Sequence, residues 1–309
     1  MVGVTDQAFF MNCAKKLEHI TGLDFAKALP LPYGYKLLLP NKLTLTREGL
    51  KEEIAFFPKV SPDFSQAVYL FNEKLTTAAL NSCGMRLIDL KTQATNTIIE
   101  DVEEDGPEFT GINGSFMSIA RYNWISDDSV AFTTYHHQTG RVFVVSIVDG
   151  KVRCATPKHR FFNCEATTFL SRLSPNVFLC KRDCLFRNGL LFVVKKTDDH
   201  SFVEVQLERQ NEHQDFEYFE ENINVQGVES TFYGKKDETI AMSSRPMILF
   251  IHGGPHNIWP NVYNPVIDYF VRRNHTVLNT NYMGSTGRGA KFARELIGNA
   301  GTKEIDQVY

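Results

Sequence analysis

Residues 247–255 read Met-Ile-Leu-Phe-Ile-His-Gly-Gly-Pro, five consecutive apolar residues that stop at a histidine, two glycines and a proline. An unbroken apolar run fits a strand covered on both faces, as in parallel sheets, although periodicity alone does not separate it from a short buried helix. The glycines decide for the strand: Gly253 and Gly254 can take backbone angles closed to other residues, and their N–H groups can approach a ligand closely. A strand ending in such a loop can aim backbone donors at a developing negative charge.

The chain has 309 residues, 43% hydrophobic and 12% aromatic, enough for two domains with ordinary cores. A net charge of -3 and a pI near 6.3 supply no basic field, so neither nucleic acid nor a membrane surface is expected as a partner. Six irregularly spaced cysteines and an N-terminus without a signal-peptide core point to reduced thiols and a cytoplasmic location. No apolar run approaches the roughly 18 to 20 residues that span a bilayer.

In chain order, residues 6–29 carry a helical pattern, with Asp6 as cap and Phe9, Phe10, Cys13, Leu17 and Ile20 near one face. Short strands then alternate with turn residues. Ser61-Pro62-Asp63 precedes a strand at 67–71, and 85–90 and a run ending near Ile99 follow. Ser126-Asp127-Asp128, Gln138-Thr139-Gly140 and Asp149-Gly150 punctuate strands at 130–135, 142–148 and 151–154. Ser174-Pro175-Asn176 and Asn188-Gly189 do the same for 177–181 and 190–195. Antiparallel units repeated in this way suggest a β-propeller, with an irregular all-β sandwich as the alternative.

From Pro246 the pattern becomes strand, helix, strand, loop, helix. Asn264 caps a helix opening at Pro265, with Asp268 near its start and Arg272 and Arg273 in its last turn. A strand at 276–282, a glycine-rich loop at 284–289 and a helical stretch with Phe292 and Leu296 come next. The expected fold is a partial, all-β propeller followed by the first strand-helix units of an α/β-hydrolase domain. Its divisions are 1–50, helical or irregular; 51–235, partial propeller; and 236–309, an incomplete α/β domain.

His252-Gly253-Gly254-Pro255 fits an oxyanion-hole loop, because histidine-glycine-glycine segments after an early strand supply a backbone donor in α/β-hydrolases. His252 is not the expected catalytic base, since there the nucleophile precedes the histidine, and no nucleophile motif precedes residue 252. No glycine is followed two residues later by serine, so Gly-x-Ser-x-Gly is absent. Residues 284–289 match neither a P-loop nor a dinucleotide fingerprint and are expected to be structural. His136 and His137, Cys180 and Cys184, and the acidic stretch 100–108 lack the companion ligands of a metal site. Neither metal nor cofactor is expected.

Residues 246–256, Pro-Met-Ile-Leu-Phe-Ile-His-Gly-Gly-Pro-His, followed by Asn281-Tyr282-Met283-Gly284-Ser285-Thr286-Gly287, resemble the acylamino-acid-releasing enzymes (acylaminoacyl-peptidases) of the prolyl oligopeptidase class of serine peptidases. Softer similarity lies in residues 60–63 and 124–128. The resemblance implies a propeller gating an α/β-hydrolase domain, with removal of an N-acylated amino acid from a peptide. It implies the Gly254 N–H as oxyanion donor and Gly253 as shaper of the loop. The family's serine, aspartate and histidine have no counterpart here, and Met283 stands where the family usually has arginine.

The expectation is therefore an incomplete, inactive chain of a serine-type peptidase whose partner is an N-acylated peptide; a homo-oligomer is compatible with it. The rivals are a non-catalytic propeller that binds partners, and a different α/β-hydrolase such as an esterase.

Overall fold

A computed structural model describes residues 30–31, 34–35, 54–72, 82–104, 106, 111–113, 122–156, 165–184, 187–207, 217–225, 227–237, 239–254 and 256–308. The helical pattern at 6–29 lies outside the described residues. A short ribbon of β1 (Pro30–Leu31) and β2 (Gly34–Tyr35) comes first.

Three antiparallel sheets follow, each built from strands that neighbour one another in chain order. The first contains β3 (Ile54–Val60), β4 (Gln66–Asn72), β5 (Ser82–Asp89) and β6 (Thr95–Ile99), with β7 (Ile112–Asn113) added to β5. The second contains β8 (Tyr122–Ser126), β9 (Ser129–His136), β10 (Thr139–Ser146) and β11 (Val152–Cys154). The third contains β12 (Glu165–Ser174), β13 (Val177–Cys184), β14 (Arg187–Lys196) and β15 (Phe202–Gln206). Among the described residues these sheets form no closed ring.

Turn chemistry sets the hairpins. The Asp63 carboxylate accepts the Ser61 hydroxyl at 2.6 Å and the Ser65 N–H at 3.1 Å, and Asp128 takes the Ser126 hydroxyl at 2.6 Å. The side-chain period of two then sends alternate residues to opposite faces. In β4, Val68 and Leu70 pack toward the second sheet with Met85, Trp124 and Phe132, whereas Ala67, Tyr69 and Phe71 pack away from it. In β9 and β10, Ala131, Val142 and Val144 instead meet Phe169, Phe178 and Phe192 of the third sheet. The second sheet is buried on both faces, which is why β9 reads as nearly continuous burial.

The fourth sheet is mixed. The hairpin β16 (Tyr218–Val225) and β17 (Val228–Lys235) pairs through β17 with β19 (Thr276–Asn281), which runs antiparallel to β17 and parallel to β18 (Met247–Ile251). Parallel neighbours need a crossover, supplied here by α1 (Pro265–Arg272). The Asn264 side chain accepts the N–H groups of Val266 and Ile267 at 2.9 and 3.3 Å, and Pro265 occupies a first-turn position where no N–H is needed. Ile267 and Val271 pack on Tyr233 and Val277. Two short helices, α2 (Gly289–Arg294) and α3 (Lys303–Val308), complete the chain.

One expectation needs correction. Asn188-Gly189 is not a turn but lies inside β14, where a Cβ on Gly189 would sit 2.0 Å from Lys181 Cε and 2.6 Å from Asp183 Oδ1. That glycine serves close strand approach beside the Lys181–Asp183 ion pair, 2.8 Å across. β16 and β17 precede residue 236 and belong to the fourth sheet, so the hydrogen bonds of that sheet run across the expected division at 235/236.

Candidate active-site loop

Because β18 and β19 run parallel, the loops leaving their carboxyl ends emerge side by side, at the rim where open parallel sheets bind ligands. Hydrogen bonds lace the two loops. The Thr286 N–H donates to the Asn257 carbonyl at 2.8 Å, and His256 Nδ1 donates to the Gly284 carbonyl at 3.0 Å. The Trp259 N–H donates to Asn281 Oδ1 at 2.8 Å, and Asn281 Nδ2 donates back to the Trp259 carbonyl at 3.3 Å.

His252 sits inside this junction, 4% exposed, its ring stacked on Tyr282 with centroids 4.6 Å apart. Nε2 is 2.8 Å from Ser285 Oγ, and Nδ1 is 3.2 Å from the Gly253 carbonyl oxygen. A carbonyl only accepts, so Nδ1 carries the proton and Nε2 accepts from the Ser285 hydroxyl. Burial lowers the His252 pKa against a smaller opposing effect of the Gly253 carbonyl, which keeps the ring neutral at pH 7. The Tyr282 hydroxyl, its own pKa raised by burial, donates to the His252 carbonyl at 2.6 Å.

Gly253 and Gly254 are exposed at the rim, and among the described residues neither N–H meets a protein acceptor. Gly254 has φ +120°, a conformation that L side chains rarely adopt, and a Cβ there would lie 3.2 Å from Asn257 Cβ. At Gly253 a Cβ would meet nothing within 4 Å, so open space fronts this backbone. Such a turn can present N–H donors to an incoming anion.

The other sequence candidates lie elsewhere. His137 Nδ1 bonds Glu229 and His136 Nε2 bonds the Gly106 carbonyl at 2.6 Å. Cys180 is buried and free, and burial raises its pKa. Glu103 and Glu104 of the acidic stretch pair with Arg294 and Lys291. Among the described residues no group of three or more His, Cys, Asp or Glu could hold a metal ion, and no helix is long and apolar enough to cross a membrane. Sequence reasoning missed Tyr282 and Ser285 as partners of His252; the fixed spacing of the two quoted segments was the available signal.

No profile of a known protein family matches the chain. Acylamino-acid-releasing enzyme 1 of Oryza sativa subsp. japonica is 32% identical over 80 residues, 26% of this chain and 10% of that protein. The acylamino-acid-releasing enzyme of Mus musculus is 24% identical over 270 residues, 81% of this chain and 35% of that protein. The chain is related to the acylamino-acid-releasing enzymes. That relationship is of low identity, and the chain spans about a third or less of the length of these two relatives. A crystal structure of puromycin hydrolase superposes with a TM-score of 0.55 at 14% identity, covering 80% of this chain and 44% of that one. At that identity the likeness is one of fold, with several antiparallel sheets and few helices.

Proposed function

We propose that this chain supplies the propeller part and the oxyanion-hole loop of a serine-type peptidase that releases an N-acylated amino acid from a peptide. The observation that carries this reading is the exposed turn at Gly253 and Gly254, whose N–H groups meet no protein acceptor among the described residues, at the carboxyl end of a parallel strand pair. In this mechanism the Gly254 N–H stabilises the oxyanion that forms when a serine attacks the acyl carbonyl, and Gly253 shapes the turn. A donor of this kind contributes about 2.7 to 4 kcal/mol to the transition state.

The mixed sheet is then the opening of an α/β-hydrolase domain, and its pairing supports starting that domain at Tyr218 rather than at residue 236. The 309 residues contain no Gly-x-Ser-x-Gly, so in this reading they are inactive alone and the triad comes from residues beyond them. A cytoplasmic setting accords with the free thiols of Cys83, Cys154 and Cys180.

The test is to treat the purified native protein with a fluorophosphonate probe, then compare hydrolysis of acetyl-alanyl p-nitroanilide with that of a short acyl ester. Labelling with preference for the acetyl-alanyl substrate is expected. Preference for the ester would reassign the protein to the esterases, and absence of labelling would leave a propeller that binds partners without catalysis.

A further inference from the structure

The two N–H groups of the candidate turn take their directions from the carbonyls that precede them. A peptide unit is planar and trans, so its N–H points opposite to its C=O. The Gly253 N–H shares a peptide unit with the His252 carbonyl, which accepts the Tyr282 hydroxyl at 2.6 Å. The Gly254 N–H shares one with the Gly253 carbonyl, which lies 3.2 Å from His252 Nδ1. His252 in turn is held by Ser285 at Nε2 and by the face of Tyr282. We propose that Tyr282, His252 and Ser285 are positioning residues that aim the Gly253 and Gly254 N–H groups outward from the rim of the mixed sheet, Tyr282 setting the first and the Ser285–His252 pair the second.

All three side chains are buried: Tyr282 and His252 are 4% exposed and Ser285 is fully buried, so none can itself touch a substrate in this arrangement. Their effect is transmitted through peptide planes. The rest of the loop acts as a frame: the Gly287 carbonyl accepts the His137 N–H at 2.9 Å, anchoring the segment that carries Ser285 to the second sheet. The assignment rests on the oxyanion reading above for its catalytic consequence, but the geometry it describes can be measured without turnover.

The experiment uses the native protein labelled with 15N-glycine and three variants. Tyr282→Phe keeps the stacked ring and removes the hydroxyl, Ser285→Ala removes the partner of Nε2, and Ser285→Thr restores one. Thr286→Val is the control, since it deletes a neighbouring buried hydroxyl that bonds nothing. Tyr282→Phe is expected to change the amide shift and residual dipolar coupling of Gly253, Ser285→Ala those of Gly254, and Ser285→Thr to return Gly254 toward the parent. In turnover of acetyl-alanyl p-nitroanilide, Ser285→Ala is expected to lower kcat by about tenfold or more at little-changed KM. Glycine amides that move no more than in Thr286→Val would overturn the positioning assignment. Amides that reorient while kcat stays at the parent value would leave the positioning intact and remove the oxyanion reading instead.

Discussion

The stack of antiparallel sheets and the junction between that stack and the mixed sheet are held by different balances of apolar and polar contact. Between the sheets apolar contacts dominate: Val68, Leu70, Met85, Trp124 and Phe132 fill one interface, and Val144, Phe169, Phe178 and Phe192 the next, with a few hydrogen bonds such as Phe169 N–H to Thr133 Oγ1 at 2.8 Å among them. At the junction hydrogen bonds and ion pairs surround one small apolar cluster of Tyr135, Ala166 and Ile258. The Asn261 N–H donates to the Gln138 carbonyl at 3.0 Å, and the Ala290 and Lys291 N–H groups to the Val102 and Glu103 carbonyls at 2.9 Å each. His137 pairs with Glu229, and Lys291 with Glu104. Apolar packing ties neighbouring sheets together with a strength that scales with buried apolar area. Polar contacts exchange with water at little net cost, so the junction is the place where the molecule can be loosened without melting the sheets.

Two substitutions break this contrast from its two sides. Trp124 is 1% exposed and its indole N–H donates to the Lys59 carbonyl at 2.8 Å, bridging the first and second sheets. Trp124→Ala leaves a cavity and an orphaned carbonyl, and about 3 to 5 kcal/mol of loss is expected in urea unfolding. A loss below ~1 kcal/mol would mean that the sheets do not fold as one unit. Gly287, at φ +95°, carries the junction: a Cβ there would lie 2.8 Å from the His137 carbonyl oxygen. Gly287→Ala is expected to cost about 1 to 3 kcal/mol. Limited proteolysis should show its cuts near the junction while the sheets stay resistant; uniform cutting along the chain would erase the contrast.

The stack was largely legible in the sequence, because alternation and Asp-containing turns are local signals. Asp63, Asp128 and Asp149-Gly150 mark real turns, and Asn264-Pro265 marks the start of α1 where expected. The failure is tertiary. Asn188-Gly189 has turn composition, yet the glycine answers to side chains across the strand. The candidate site was legible only as backbone. Gly253 and Gly254 declare themselves by type, but the bond from His252 to Ser285 spans 33 positions and no local pattern encodes it.

The smallest expected effect is also the most diagnostic of the junction. Burial works to raise the Glu229 pKa, but the hydrogen bond and charge of His137, with Arg288 and His136 behind it, outweigh burial and leave it below the ordinary 4.5. A carboxyl whose folded pKa is depressed contributes stability that is fully present above its unfolded pKa and is lost as pH falls through the folded value. The window therefore lies at and below pH 4.5, not near neutrality. Glu229→Gln should flatten the fall in Tm over that acid range and lower stability modestly at pH 7, whereas Trp124→Ala should shift the whole profile down without changing its shape. A parent and Glu229→Gln protein with parallel acid limbs would show that the pair does not couple the two sheets, and the junction would then rest on its backbone hydrogen bonds, the Lys291–Glu104 pair and the Tyr135–Ile258 contact.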